Sequence, residues 1–233
     1  MVNLSIIIPA YNEQNRIASR LEECLRYFRK QKYSFEIIVV NDGSTDKTID
    51  VVKKFKDIKL VNYFPNHGKG YAVRTGVLKA KGKYILFSDA DMSTPIEELG
   101  KLIGFIRDYD LVIASRALKE SKVNTLGYRK FLGRIFNLFV NLWVVPGVKD
   151  TQCGFKLFKR GAALKLFNKQ RIERWAFDVE ILFLSKKLGY KIKEVGVEWN
   201  HFDHNGVTPT GESFKMLKEI FKIRWNWILR RYK

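Results

Sequence analysis

Two carboxylates two residues apart, Asp89 and Asp91, close the apolar run Tyr84-Ile-Leu-Phe-Ser. An Asp-x-Asp pair is frequent by chance, and an isolated one is ordinarily a turn or a helix cap. At the mouth of a buried strand it is costlier, because two like charges leave water together unless something compensates them. A divalent cation on a diphosphate would do so, since Mg²⁺ and Mn²⁺ take one or two carboxylates and complete their shells with phosphate oxygens and water. A second segment, Asn66-His-Gly-Lys-Gly70, precedes a helical pattern. Its backbone N–H groups and Lys69 can meet phosphate at the positive end of that helix. It matches neither the P-loop nor the dinucleotide fingerprint, and a plain glycine-rich turn explains it equally well. Asp42-Gly-Ser-Thr-Asp46 reads as a turn in which Ser44, Thr45 or Asp46 caps the next helix, and Asp42 can also accept hydrogen bonds from a nucleotide base. Tyr11 can stack on such a base. His201 and His204 have HxxH spacing, but no cysteine or carboxylate set completes a zinc site. No nucleophile elbow or Cys/His pairing marks covalent catalysis.

These residues need a scaffold, and the first half of the chain supplies one. Leu4–Ala10, Phe35–Val40, Lys59–Phe64, Tyr84–Ser88 and Asp110–Ser115 are apolar runs of strand length. Helical spacing lies between them, with Ile17, Leu21, Cys24, Leu25 and Phe28 on one face of the first helix. Strands apolar throughout, alternating with helices, predict an α/β fold with a central, mostly parallel sheet covered on both faces. In such sheets ligands bind beyond the carboxyl ends of the strands, where each polar segment named above falls.

The chain has 233 residues and a net charge of +19, unevenly spread: +4 over residues 1–114 and +15 over 115–233. A hydrophobic content of 46% excludes intrinsic disorder. The basic half suits nucleic acid, anionic lipid or a phosphorylated substrate. No recognition-helix, RRM or zinc-finger signature accompanies it, so no nucleic-acid partner is expected. Two cysteines, Cys24 and Cys153, cannot make a disulfide framework, which predicts a reducing, cytoplasmic setting. The first residues lack the basic leader of a signal peptide.

Taken together, Ser5-Ile-Ile-Ile-Pro-Ala-Tyr-Asn-Glu13, Ile38-Val-Val-Asn-Asp-Gly-Ser-Thr-Asp46, Asn66-His-Gly-Lys-Gly70 and Phe87-Ser-Asp-Ala-Asp91 resemble, in order and spacing, the family 2 glycosyltransferases of GT-A fold. Ser115-Arg-Ala, Asp150-Thr-Gln-Cys-Gly-Phe-Lys-Leu-Phe158 and Glu173-Arg-Trp-Ala-Phe-Asp-Val-Glu180 are similar to the polyprenyl- and dolichyl-phosphate branch, nearest its glucosyl-transferring members. The resemblance implies that Pro9, Tyr11, Glu13 and Asp42 line a nucleotide pocket with Lys69 beside it. Asp89 would lie on the ribose or metal side and Asp91 on the metal, with Gln152 and Asp178 on the acceptor side. It implies inverting transfer of a hexose from UDP-glucose, or next GDP-mannose, to a polyprenyl or dolichyl phosphate with Mg²⁺ or Mn²⁺. The mannosyl relatives usually continue Asp-x-Asp-Leu-Gln, whereas Met92-Ser93 follows here, which favours glucose.

A phosphate acceptor is largely dianionic at neutral pH and needs cations more than a base. Arg116, Arg129, Lys130 and Arg134 are the expected phosphate ligands. A sugar-hydroxyl acceptor, the alternative, would need a base, for which Asp178 is the candidate. Residues 126–146 read as an amphipathic insertion in a catalytic domain spanning 1–200. Residues 201–233 read as a basic amphipathic tail, with Phe214, Leu217, Phe221, Trp225 and Ile228 on one face and Lys215, Lys218, Glu219, Lys222, Asn226 and Arg230 on another. Such helices predict peripheral attachment to an anionic membrane on its cytoplasmic side, and admit a membrane-protein partner.

Overall fold

The computed structural model describes residues 2–124, 143–200 and 209–232. The five expected strands form, as β1 (Leu4–Ala10), β2 (Phe35–Asp42), β3 (Ile58–Tyr63), β4 (Tyr84–Ser88) and β5 (Leu111–Ser115). After the short β6 (Lys122–Asn124) come β7 (Phe155–Lys159), β8 (Ile192–Gly196) and β9 (Glu198–Asn200). The main sheet has the order β3-β2-β1-β4-β7-β5-β8, while β6 and β9 pair separately. All its neighbouring pairs are parallel except those made by β7, which runs antiparallel to both β4 and β5.

The strands are buried on both faces, and their alternation feeds two cores. Ile7, Ile38, Val40, Ile85 and Phe87 point into one, and Ile6, Ile8, Ile37, Val39 and Leu86 into the other. Helix α1 (Ile17–Arg29) covers the second core with Ile17, Leu21, Cys24, Leu25 and Phe28, the face its spacing predicts. Each such side chain contributes about 1.5–3 kcal/mol by leaving water. Helix α2 (Thr48–Val52) follows Asp46, whose Oδ1 accepts from the Thr48 amide and hydroxyl. Helix α3 (Lys69–Lys79) covers the first core, and α4 (Leu99–Ile103) the second. Helices α5 (Arg160–Lys169), α6 (Phe177–Lys187) and α7 (Pro209–Ile228) complete the first core.

Strand β7 is the antiparallel member of the expected mostly parallel sheet. It starts beside the end of β4, with Phe155 opposite Ser88, so the preceding turn arrives at the carboxyl rim. Residues of the expected C-terminal tail pack on the domain. Ile220, Ile223 and Tyr232 are buried in the first core, and the Tyr232 hydroxyl donates to Glu180 Oε1 at 2.5 Å. Asn226, expected on a solvated face, is 2% exposed and its side-chain oxygen accepts from Arg231. Phe221, Trp225 and Ile228 do face outward. Among the described residues no helix is long and apolar enough to cross a membrane.

Candidate active site

The rim is assembled from strand ends. Asp42 ends β2 and is buried, and its carboxylate accepts from Asn66 Nδ2, the His67 amide and the Gly68 amide at 2.8–2.9 Å. Its first duty is therefore to fold the Asn66–Gly70 loop, an anchoring role that spacing alone did not suggest. Gly68 has φ +110°, and a Cβ there would meet the Glu173 carbonyl at 2.7 Å. The loop thus packs directly on residues 173–174, and the Tyr71 amide donates to Glu173 O at 2.9 Å. Across from it, Tyr11 is 47% exposed at the end of β1, while Pro9 lies buried within that strand. Glu13 forms a 2.8 Å ion pair with Arg16.

Lys69, the first residue of α3, reaches back to Asp89, with Nζ 2.6 Å from Oδ1. That contact is the oxygen's one polar partner among the described residues, so the carboxylate is charge-paired with lone pairs still open to a further cation. Burial, with Asp91 and Asp178 nearby, raises the Asp89 pKa above the ordinary carboxylate value despite Lys69. Lys69 is pulled down by burial, but Asp89 and Asp178 outweigh it and raise its pKa. Asp91 is 8% exposed and accepts from the Ser93 amide at 2.9 Å across a turn in which Met92 has φ +47°. Left-handed backbone at a Met is a strained conformation of the kind that collects at functional sites.

The turn before β7 closes this pocket. The Asp89 amide donates to Gly154 O at 3.0 Å, and a Cβ on Gly154 would lie 2.0 Å from Asp89 Oδ2. Only glycine leaves room for that carboxylate. Asp150 holds Arg116 in a fork, with Nε at 2.7 Å and Nη2 at 2.9 Å, and also accepts the Arg116 amide. The guanidinium keeps the Asp150 carboxyl at about 2 despite burial. Burial would lower the Arg116 pKa, but Asp150 raises it, with Asp89 among the further contributing charges. Trp199 lies 5.3 Å from the guanidinium, ring centroid to Cζ. Gln152 Nε2 faces Met216 Sδ of α7 at 3.5 Å. Asp178, buried in the first turn of α6, is ion-paired to Lys156 at 2.5 Å. Cys153 is buried, and burial, with Asp150, pushes its thiol up to about 11. It is no nucleophile.

The structure thus gathers Asp89, Asp91, Lys69, Arg116, Gln152 and Asp178 around one rim, with Asp42 and Tyr11 at its β1–β2 side. Arg129, Lys130, Arg134, His201 and His204 lie outside the described residues, as does most of the 126–146 insertion. Sequence reasoning missed Asp150, Trp175 and Lys156 as individuals. A lysine inside the apolar run Phe155-Lys-Leu-Phe was the available signal, since a buried ammonium requires a partner. Trp175 is 44% exposed with its ring 5.2 Å from Lys69 Nζ.

Asp89 and Asp91 fit a divalent cation. Asp89 meets Lys69 through one oxygen and keeps lone pairs free, and Asp91 adds a second carboxylate two residues on. Mg²⁺ and Mn²⁺ take one or two carboxylates, which this pair can supply, beside phosphate oxygens and water.

An α/β sheet with an acidic strand-end pair and a lysine-bearing glycine loop defines the GT-A class of transferases. Solved structures agree on the fold. Mannosyl-3-phosphoglycerate synthase from Rubrobacter xylanophilus superposes with a TM-score of 0.74 at 19% identity, covering 98% of this chain and 75% of that one. Glucosyl-3-phosphoglycerate synthase from Mycobacterium tuberculosis, in complex with Mn²⁺, UDP-glucose and phosphoglyceric acid, gives 0.72 at 17%, covering 99% and 80%. Residues 5–167 match Glycosyl transferase family 2, and the chain belongs to that family. It is 39% identical to a dolichyl-phosphate beta-glucosyltransferase of Dictyostelium discoideum, over 100% of this chain and 77% of that protein. It is 34% identical to the one of Homo sapiens, over 97% and 76%.

Proposed function

We propose that this chain transfers glucose from UDP-glucose to dolichyl phosphate, with inversion, aided by Mg²⁺ or Mn²⁺. The observation that carries the reading is the meeting of an unsaturated carboxylate, Asp89, with a guanidinium, Arg116, fixed by its own counter-ion. Full-length similarity to dolichyl-phosphate beta-glucosyltransferases supports the acceptor and the sugar. A neighbour of the same fold bound to Mn²⁺ and UDP-glucose supports the donor.

Each residue then has a duty. Tyr11, with Pro9, Glu13 and Asp42 behind it, borders the nucleotide, and Lys69 neutralises the diphosphate from the helix end. A cation held by Asp89 and Asp91 would stabilise the charge gathering on the leaving diphosphate. Arg116 presents N–H groups to the acceptor phosphate, brings two repelling anions together and aligns a phosphate oxygen with the anomeric carbon. Arg129, Lys130 and Arg134 add cations to that approach. The Lys156 pairing of Asp178 argues against a free base there, and so against a sugar-hydroxyl acceptor. The exposed Phe221, Trp225 and Ile228, with Lys222 beside them, suit shallow insertion into the cytoplasmic face of an anionic bilayer.

A panel of UDP-glucose, GDP-mannose and other donors with Mn²⁺ or Mg²⁺ and dolichyl phosphate tests this. Glucosyl-lipid from UDP-glucose is the expected product. Product only with a free sugar acceptor overturns the lipid assignment, and mannosyl-lipid overturns the donor. Sedimentation with phosphatidylserine vesicles, lost in Trp225→Ser, tests the membrane contact.

A further inference from the structure

Lys156 sits in the middle of an apolar strand and is 1% exposed. Its Nζ donates to the Cys153 carbonyl at 2.7 Å and to Asp178 Oδ1 at 2.5 Å. Burying such a pair costs several kcal/mol per ion before the attraction is counted, and well-packed apolar residues often stabilise a fold as well. What an apolar pair cannot supply is a grip on the Cys153 carbonyl. That carbonyl belongs to the 150–154 turn, which touches the site twice. Asp150 orients Arg116 at one end, and Gly154 O receives the Asp89 amide at the other. Asp178 stands in α6, fixed against the sheet through Phe177, whose ring meets Phe87 edge-on at 5.6 Å.

We propose that Lys156 is a positioning residue of the transfer site, tying the 150–154 turn to α6 so that Arg116 and Asp89 keep one mutual geometry. Backbone pairing sets the β4–β7 register, with Lys156 opposite Phe87, so losing the side chain loosens the turn without unzipping the strand. A displacement of about 1 Å at a reacting group can cost on the order of 100-fold in rate. The inference rests on the glycosyl-transfer reading, which the wild-type chain tests in the same assay.

The experiment compares Lys156→Met, Asp178→Asn and the double variant K156M/D178L for thermal stability, transfer rate, acceptor KM and UDP affinity with Mn²⁺. K156M is expected to be both unstable and slow. K156M/D178L regains stability because the apolar pair fills the space. Its kcat stays down about 100-fold and its acceptor KM rises, while UDP affinity holds within a few-fold. D178N keeps the Lys156 bond to the Cys153 carbonyl and leaves an amide oxygen to accept from Lys156, so the tie survives weakened and kcat falls less than in K156M. Recovery of both stability and kcat in K156M/D178L overturns the proposal by making the pair purely structural. D178N as slow as K156M, at native stability, overturns it by placing Asp178 in the chemistry, and this arm decides even if the double variant does not fold. Should the wild-type chain use another acceptor, the same variants are compared on that acceptor, so the two failures are told apart.

Discussion

Glu36 and Asp89 are both carboxylates at strand ends facing a lysine ammonium, one on the amino rim of the sheet and the other on its carboxyl rim. Lys59 lies 2.5 Å from Glu36, and Lys69 lies 2.6 Å from Asp89. Glu36 also accepts from the Ser5 hydroxyl at 2.6 Å and the Lys81 amide at 2.7 Å. Burial alone would raise its pKa, but these partners outweigh burial and lower it. Asp89 has Lys69 as the one partner of its buried oxygen among the described residues, two acidic neighbours and a raised pKa. The amino rim is finished without a ligand, and the carboxyl rim becomes complete when a ligand arrives. A buried ion pair therefore says little about function until its remaining lone pairs are accounted for.

The comparison can be broken most sharply at the rim. Asp91→Ala is expected to cut transfer by about 10²–10³-fold with metal present while leaving the melting temperature within a few degrees. Near-normal turnover would place the donor elsewhere. Arg116→Ala should cost roughly 100-fold, chiefly through acceptor KM, and Arg116→Lys should recover little because a lysine cannot form the fork with Asp150. At the amino rim Glu36→Gln should do the reverse. Stability falls by about 1–3 kcal/mol, read as a midpoint shift in urea, with kcat unchanged. The smallest effect concerns pH. The folded-state carboxyl of Asp150, near 2 against an ordinary 3.8, contributes stability that is present above its unfolded value and lost as pH falls toward 2. The stability gap between wild type and Asp150→Asn should therefore be flat from neutrality to about pH 5, then shrink on acidification.

Much of this was legible in the residues. Uniformly apolar runs with period-3.6 stretches between them specify strands, helices and the side of the sheet on which ligands gather. Asp89, Asp91 and Lys69 announce themselves because charge at the end of a buried strand demands a reason. The direction of β7 was not legible, since Phe155–Lys159 is as apolar as a parallel strand and only the chain's path decides its sense. Nor was the double life of α7. Phe221 and Trp225 read as one apolar face, but Ile220, just before Phe221, and Ile223, between the two, do the packing. Asp42 carried a signal for ligand binding, and the structure shows most of its hydrogen-bonding capacity spent on the neighbouring loop.

The reversal at β7 has a consequence for how this enzyme class diversifies. The chain leaves the rim at Arg116 and returns to it at Asp150, and the fork between those two residues fastens the base of everything in between. Both feet of the excursion stand at one point, but its ends are not free to drift: β6 pairs with β9, and Val144, Val145 and Val148 lie in the first core. A graft between relatives therefore keeps β6, Val144–Val148 and the Arg116–Asp150 fastening, and exchanges only what lies between residues 124 and 143.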